Sequence, residues 1–395
     1  MFARFISITV LGLMSLSSFG QGADSLVYGN TRLQNIVNNQ GLSLGGYAQI
    51  DYNQVQTPNS KPNGVVDIHR LVLFLGYTFD QKFSFISEIE FEHANEVWVE
   101  QAYVNYRLNT NLSINTGLLL VPMGIVNQYH EPPTFLGVER SFVDQYIIPT
   151  TWREIGIGIQ GRFPDANIKY QINLTNGLMG YNEGAKFSGS SGLRGGRQKA
   201  SKAQLHRPVI NGRVEHYGFP GLKIGLSAYV GASQSTMWNT VNPAIAEEKE
   251  VLDSSIVQIS MFEADFHYRI RAFQIKGQYV FALIGNSEAY NSLGNTEVGS
   301  QLYGGFTEVA FDLLSLRAQK DTRLLWLFVR GEQVYTHFRT EGIEIDPLNN
   351  RNILTAGLSF LPHEGVSFKA DHQWLSAQDG TSLGRIINLG VGVWF

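Results

Sequence analysis

Most of this chain consists of stretches of about ten residues in which apolar side chains alternate with polar or small ones. Successive side chains of a β-strand point to opposite faces, so a period of two predicts strands with one apolar and one polar face. An even number of strands of this length predicts an all-β fold, a closed antiparallel β-barrel that crosses a bilayer. Sixteen such stretches follow Gly41, at 42–54, 65–79, 82–92, 97–108, 112–120, 152–163, 167–175, 206–217, 222–232, 256–269, 271–284, 303–313, 324–338, 351–361, 366–376 and 386–395.

The connections between these stretches alternate between short and long. Short turns at one rim and long loops at the other are typical of bacterial outer-membrane barrels, whose turns are periplasmic and whose loops are extracellular. The short connections, at 80–81, 109–111, 164–166, 218–221, 270 and 362–365, are tight or rich in turn-forming residues. The long ones are 55–64, 121–151, 176–205, 233–255, 285–302 and 339–350, and the exceptions are 93–96 and 314–323.

The first twenty residues have the three parts of a secretory signal peptide. Arg4 precedes the apolar stretch 5–16, and small residues occupy positions −3 and −1 of a cut before Gln21. We therefore predict a cleaved signal peptide at 1–20, a short periplasmic segment at 21–41 and a transmembrane barrel at 42–395. An exported barrel of this kind belongs in the outer membrane of a Gram-negative bacterium.

Composition excludes several other classes of protein. The chain has no Cys, which argues against a disulfide-stapled module, a thiolate metal site and a lipoprotein anchor. Only 16% of its residues are charged, its mean hydropathy is −0.09, and no apolar run of the mature chain is long enough for a membrane helix. The formal net charge of −4 gives no support to nucleic-acid binding.

The last stretch, 386–395, shows how the two faces of a strand divide. Its odd-numbered residues from Ile387 to Phe395 are all apolar, whereas the opposite face carries Asn388, two glycines and Trp394. An apolar face suits lipid or a soluble core equally. Four features together favour lipid as the surroundings of the apolar face: the strand number, the sorting of short and long loops, the export signal and the absence of covering helices. The terminal Phe395 resembles the signal that the outer-membrane assembly machinery reads.

Charged residues with inward parity line the predicted lumen, because a charge facing lipid would cost about 2–4 kcal/mol. Over all the strands the basic residues of this inward set balance the acidic ones, which include Glu92, Glu154, Glu215, Glu263, Asp265, Glu308, Asp312, Glu332 and Asp371 besides the two listed below. They fit either ion pairs that brace the wall or a transverse field that sorts permeating ions. The candidate lumen wall comprises Arg70, Glu88, Glu90, Arg107, Arg162, Lys169, Arg213, Arg269, Lys276 and Arg330.

The connection 121–151 is long and carries several apolar residues, which would be awkward on a solvated rim. We expect it to fold into the lumen and narrow the pore, the alternative being an extracellular loop packed on a neighbouring subunit. The candidate constriction residues are His130, Glu131, Glu139, Arg140 and Asp144. His130-Glu131 is not a metal-binding HExxH motif, since no second His follows at the required spacing.

Basic residues dominate the segment from 186 to 213, where no acidic residue occurs between Glu183 and Glu215. Its Gly/Ser-rich centre, 187–196, predicts a flexible loop. A basic loop at a pore mouth would attract anions over about 8 Å at physiological salt, or it would bind anionic lipopolysaccharide. The candidate mouth residues are Lys186, Arg194, Arg197, Lys199, Lys202 and Arg207.

Motifs for catalysis and cofactors are missing from the sequence. It contains no GxSxG elbow, no HExxH and no Cys nucleophile, and no Gly-Lys-Ser/Thr follows the glycine-rich stretch. We therefore expect no enzyme, no cofactor and no metal site, although sequence spacing cannot reveal a triad formed in space.

The stretch from Gly117 to Gly124 resembles the G-x-x-x-x-P-x-G motif of the phosphate-selective porin O/P family, in particular its Bacteroidetes-type members. The similarity continues through Phe135, the Glu139-Arg140-Ser141 triplet and the strand that restarts at Glu154. It implies a sixteen-stranded, trimeric barrel that passes anions or small polar solutes. The chain departs from the family in its balanced lumen charges, among which the arginine ladder of the phosphate-selective members cannot be placed.

Three functions follow as hypotheses. The first is an outer-membrane porin for passive diffusion, with phosphate selectivity as its finer form. The second is a plugged structural or binding barrel that contacts surface ligands or a partner complex, and the third is a barrel hydrolase. The expected partners are outer-membrane lipid and lipopolysaccharide, small anions or polar solutes, the assembly machinery and two further copies of the chain.

Overall fold

The computed structural model describes residues 41–128, 134–317 and 322–395. The predicted signal peptide and most of the predicted periplasmic segment lie outside the described residues. Sixteen strands form one closed barrel in which each strand pairs antiparallel with the next, and the first strand closes the ring against the last. Because no edge remains open, every strand has two hydrogen-bonded neighbours, as a sheet in lipid requires.

The predicted strands are confirmed, and their ends differ from the prediction by at most four residues. The barrel strands are β1 (Gly41–Gln56), β2 (Val65–Thr78), β3 (Phe83–Glu92), β4 (Glu96–Asn109), β5 (Leu112–Leu120), β6 (Arg153–Phe163), β7 (Ile168–Thr175), β9 (Val209–Phe219), β10 (Leu222–Ala232), β12 (Gln258–Ile270), β13 (Phe273–Gly285), β14 (Gln301–Asp312), β15 (Leu324–Arg339), β16 (Asn350–His363), β17 (Val366–Ala377) and β18 (Ser382–Trp394).

Short elements occupy the long connections. Two short strands, β8 (Met179–Tyr181) and β11 (Gln234–Ser235), form a small parallel sheet outside the barrel ring. The helices are α1 (Gly124–Gln128), α2 (Val143–Tyr146), α3 (Ala246–Ser254) and α4 (Ser287–Gly294). None of the helices in the described part of the chain has the length and apolar character needed to cross a membrane.

The two faces of the barrel follow the alternation in the sequence. Outward side chains such as Ile172, Leu226 and Leu389 are exposed apolar residues, whereas their inward neighbours, among them Asn173 and Asn388, are buried and polar. Short turns meet at one rim, where Phe395 exchanges backbone hydrogen bonds with Gly46 of β1. The long connections lie at the other rim, where they approach one another over the same opening of the barrel.

Two of the β-bulges interrupt the alternation on β2 and β4, the strands on either side of β3. In the β1–β2 pair, Ile50 alone opposes Ile68 and His69, so that both His69 and Arg70 turn inward. In the β3–β4 pair, the extra residue is Glu100, which is buried beside Gln101. A bulge adds one residue to one strand and re-aims its side chain, and a strict period of two cannot reveal it.

Candidate functional site

The connection between β5 and β6 is fastened at its base by Asn127. The side-chain amide of Asn127 donates to the carbonyl oxygens of Val121, at 2.7 Å, and Trp152, at 3.1 Å. Its Oδ1 accepts from the Trp152 backbone N–H at 2.8 Å. These bonds hold the first and last residues of 121–152 together, so the intervening chain leaves and re-enters the wall at one place. The candidates His130 and Glu131 lie outside the described residues.

The middle of this segment contacts strands on the other side of the ring. The Lys369 ammonium on β17 donates to the carbonyl oxygens of Phe135, at 2.5 Å, and Gly137, at 2.9 Å. The Val138 N–H donates to Asp371 Oδ2, also on β17, at 2.6 Å. On β15, which lies opposite β5 in the strand order, Glu332 accepts the Phe142 N–H at 2.7 Å. The segment therefore spans the interior of the barrel.

Asp144, at the start of α2, is a fully buried acid of this segment. Its Oδ1 accepts from the side-chain amide of Gln278 on β13 at 2.9 Å, and its Oδ2 accepts from Ser141 Oγ. Burial raises the pKa of Asp144 to about 6, although the hydrogen bonds from Ser141 and Gln278 oppose this rise. Asp144 thus anchors α2 to the wall.

An apolar cluster fills the part of the interior nearest the long connections. Trp152 is fully buried, its ring lies 4.5 Å from that of Tyr229, and its indole N–H donates to Glu154 at 2.9 Å. Ile147 and Ile148 of the segment join the same cluster, which continues onto inward-facing wall residues including Met261, Val280, Phe306 and Val334. This part of the barrel is packed like a protein core.

The connection 176–208 packs into the same cluster, which corrects the prediction of a flexible loop for 187–196. Phe187 and Leu193 are buried, and the Phe187 ring packs against Tyr290 of α4. The Tyr290 hydroxyl accepts the backbone N–H groups of Lys186 and Phe187 and donates to Gly180 O at 2.6 Å. Apolar residues on both sides of the glycines explain this packing, because burying them outweighs the freedom that the glycines allow.

Six basic side chains meet where the two connections cross, and we call them the basic cluster. They line one cavity of about 30 Å³ together with two carboxylates, Glu90 and Glu92. This volume admits one or two water molecules or a small ion. The basic cluster comprises Arg70, Arg140, Arg153, Arg194, Arg197 and Lys199.

Backbone carbonyls fix two arginines of the cluster. Arg194 donates to Thr150 O at 2.7 Å, and Arg197 donates to Thr150 O at 2.9 Å and to Thr151 O at 3.3 Å. Lys199 lies over the indole of Trp98, with Nζ 4.0 Å from the ring centre. Neutral partners of this kind position a cation without neutralising its charge.

Three carboxylates, Glu90, Glu92 and Glu100, only partly offset the six positive charges of the cluster. Arg70 pairs with Glu90 at 3.3 Å, and Arg153 lies 3.9 Å from Glu100. The Nε atoms of Arg70, Arg153 and Arg197 are buried and have no hydrogen-bond partner among the described residues. Buried N–H groups without acceptors are costly, so the cavity favours an anion or water that would accept from them.

The arginines that the two connections contribute to the cluster have lowered pKa values, mainly because they are buried. Burial, followed by the neighbouring charges of Arg194 and Arg153, lowers the pKa of Arg197 to about 9. Burial and the charge of Arg70 lower the pKa of Arg140 to about 10, and burial also lowers that of Arg194. Burial is the largest cause in all three cases, and a buried cation is one that an anion would stabilise.

The residues in and around the cavity include predicted candidates and others that the period-two pattern does not reveal. Arg70, Glu90, Arg140, Arg194, Arg197 and Lys199 were all candidates, but from three separate sets. Arg153 and Trp98 were not predicted, and Glu100 was hidden by the bulge in β4. Lys186, Lys202 and Arg207 do not line the cavity, and Arg207 precedes β9 instead of lying within it.

Apart from Glu88, the remaining lumen-wall candidates form ion-pair networks or lie near the short-turn rim. Arg213 contacts Asp265, Glu263 and Glu215, with its Nη2 2.9 Å from Asp265 Oδ1. Arg330 joins Glu332 at 2.7 Å and Glu308 at 3.6 Å, and Lys276 joins Glu308 at 3.1 Å. Glu88 accepts a hydrogen bond from Gln101 at 2.6 Å, and Arg162 donates one to Asn111 at 3.0 Å. Lys169 lies over the ring of Tyr217, and Arg269 lies over the ring of Trp326. Arg107 is exposed near the 110–111 turn.

No protein-family model matches the chain. An uncharacterized protein of Aquifex aeolicus (strain VF5) is 29% identical to it over 352 residues, which cover 84% of this chain and 75% of the relative. This similarity extends over most of the barrel but assigns no activity.

Solved outer-membrane porins have the same fold at very low sequence identity. The outer membrane channel DcaP of Acinetobacter baumannii aligns with a TM-score of 0.55 and 10% identity, covering 90% of this chain and 98% of that protein. OmpF of Salmonella typhi aligns with a TM-score of 0.54 and 10% identity over 90% and 97% of the two chains. An anion-selective porin from Comamonas acidovorans gives a TM-score of 0.54 and 10% identity over 90% and 100%. The sixteen-stranded porin barrel is thus the architecture of this chain.

Proposed function

We propose that this protein is an outer-membrane porin through which small anions diffuse passively, with segment 121–151 as the constriction. The observation that carries the proposal is the basic cluster, where six basic side chains and two carboxylates line one cavity inside a porin-like barrel. The resemblance to phosphate-selective porins and the anion selectivity of the Comamonas porin of the same fold support the same direction. Its role is transport, with no catalytic step.

The geometry suggests how an anion would pass. Long-range attraction draws anions to the rim that carries the long connections, and the buried cluster then replaces part of their hydration shell. Glu90 and Glu92 lie in the same cavity and limit how tightly an anion binds. Conduction needs this compromise, because an ion held too firmly would not leave.

The cellular setting is part of the proposal. Residues 1–20 direct export, the apolar outer face contacts outer-membrane lipid, and the strand that ends at Phe395 engages the assembly machinery. The resemblance to the porin O/P family implies a homotrimer. Lys202 and Arg207, which are exposed beside the long-loop rim, remain available for lipopolysaccharide.

Planar-bilayer recording of the refolded mature chain tests the proposal. Under a potassium chloride gradient, we expect discrete conductance steps and a reversal potential of anion-selective sign. Added phosphate should reduce the chloride current if phosphate competes for the basic cluster. Steps without anion selectivity would leave a general porin, and a folded barrel without conductance would refute the channel.

A plugged binding barrel is the second candidate, and the apolar cluster favours it. Segments 121–152 and 176–208 bury Trp152, Phe187 and Leu193 inside the barrel, which resembles a plug more than a water-lined wall. Such a barrel would fold stably and yet conduct no current until a ligand or partner displaced the plug. The same bilayer recording separates the two candidates.

A further inference from the structure

Three side chains with metal-binding atoms meet inside the barrel beside the basic cluster. They are Asp51 on β1, His69 on β2 and Glu139 on segment 121–152. One ligand atom from each lies within 4.8 Å of the others, and His69 Nδ1 is 3.2 Å from Asp51 Oδ2. Two strands of the wall and the infolded segment thus contribute one ligand each.

A different structural feature places each of these side chains at the site. The β2 bulge turns His69 inward next to Arg70. The side-chain amide of Asn53 donates to Glu139 Oε1 at 3.0 Å, which orients that carboxylate. The Gln49 amide donates to Asp51 Oδ2 at 2.6 Å. Hydrogen bonds to ligand side chains from an outer ring of residues are a regular feature of metal sites.

Asp51 supplies a second, independent observation that points to a ligand. Its side chain is almost fully buried, and its Oδ1 has no hydrogen-bond partner among the described residues. A buried carboxylate oxygen without a donor is costly, and a bound cation removes that cost. The nearby ammonium of Lys369 donates to the carbonyl oxygens of Phe135 and Gly137.

The donor set indicates the class of ion. One imidazole nitrogen and two carboxylates suit Zn²⁺ and similar first-row ions, whereas Ca²⁺ and Mg²⁺ prefer oxygen donors alone. Ligand atoms about 2.1 Å from one ion lie at most about 4.2 Å apart, so three atoms that lie within 4.8 Å of one another need only small side-chain rotations to bind one ion. His69 and Glu139 are only half-buried, which leaves room for water on the remaining coordination positions.

We propose that Asp51, His69 and Glu139 bind a divalent transition-metal ion of the Zn²⁺ class, and that the ion ties segment 121–152 to the wall formed by β1 and β2. The adjacent Arg70 and Arg140 oppose a cation, but Arg70 is paired with Glu90, and Asp51 and Glu139 bring two negative charges to the site itself. The site fixes the position of the infolded segment. This inference depends on the fold alone and stands whether or not the barrel conducts.

Isothermal titration of the chelator-treated, detergent-solubilised mature protein with ZnCl₂ tests the site. We expect one ion per chain, affinity reduced at least about tenfold by His69→Gln and by Glu139→Gln, and little response to Mg²⁺ or Ca²⁺. His216→Gln, a change to a distant histidine, serves as the matched control. Co²⁺ substituted for Zn²⁺ should give visible absorption bands that both variants lose.

A second control covers the neighbouring histidine. His93 lies with its ring centre 5.7 Å from that of His69 and is paired with Asp67 at 2.5 Å. If His93→Gln abolished binding while His69→Gln did not, the proposed ligand set would be overturned. Absence of Zn²⁺ binding to the folded wild-type barrel, or equal affinity in all variants, would overturn the site itself. Heat-dependent migration on gels verifies that each variant is folded.

Discussion

The backbone N–H of Val138 donates to Asp371 Oδ2 at 2.6 Å, although 233 residues separate the two in the chain. Asp371 also accepts from the side-chain amide of Asn388 at 2.7 Å, so one carboxylate joins the infolded segment to β17 and β18. The second half of the barrel thereby holds a segment that leaves the wall between β5 and β6. Four experiments follow from this and from the neighbouring contacts.

Asp371→Ala should loosen the infolded segment. The change leaves the Val138 N–H without its acceptor, which costs about 1–3 kcal/mol in the free energy of unfolding for a buried group. We expect a lower thermal midpoint together with a larger or noisier single-channel conductance. Asp379→Ala, in the exposed 378–381 turn, is the control. Unchanged conductance in a destabilised Asp371→Ala barrel would show that the segment does not limit the current.

Arg197→Gln should weaken anion selectivity. A unit charge about 4 Å from a permeating ion contributes about 1 kcal/mol in water-like surroundings, so we expect roughly a fivefold fall in the anion-to-cation permeability ratio. The reversal potential across a potassium chloride gradient measures it. Lys202→Gln removes an equal charge from the same connection but outside the cavity, and it should leave the ratio nearly unchanged. Equal effects of the two changes would argue against the cluster as the selective element.

Trp152→Ala should destabilise the barrel strongly. Trp152 is fully buried against Tyr229, and a large-to-small change at such a position costs about 3–5 kcal/mol. Guanidinium unfolding in lipid vesicles measures the free energy difference. Trp374→Ala, which removes an exposed tryptophan from the outer face, should cost much less. Comparable losses would mean that the interior apolar cluster contributes little to stability.

Asp144→Asn should change how stability depends on pH. Burial raises the pKa of Asp144 to about 6, above its value in the unfolded chain, so the folded protein binds a proton more tightly. Asp144 therefore makes the protein more stable as the pH falls from above 6 towards 4, by up to about 3 kcal/mol. The unfolding free energy of the wild type, relative to that of Asp144→Asn, should therefore decrease by this amount as the pH is raised from 4 to 8. A flat difference would place the pKa of Asp144 near its ordinary value.

Local sequence patterns were sufficient to predict the barrel. A strand repeats every two residues, and lipid on one side and polar contacts on the other impose that repeat on each strand separately. The strand at 222–232, for example, was predicted with the bounds that β10 has. Turn-forming residues marked the short rim in the same local way, which is why the order of short and long connections could be predicted.

The contents of the barrel were decided by tertiary structure. The basic cluster unites Arg70, Arg140 and Arg197 from three distant parts of the chain, and the proposed metal ligands span residues 51 to 139 without a spacing motif. The bulges that turn His69 and Glu100 inward break the period on which the strand prediction depended. Likewise, Phe187 lies beside Tyr290 only because two long connections fold over the same opening. A period of two reports which face a side chain takes, whereas its partner across the interior depends on closure of the whole ring.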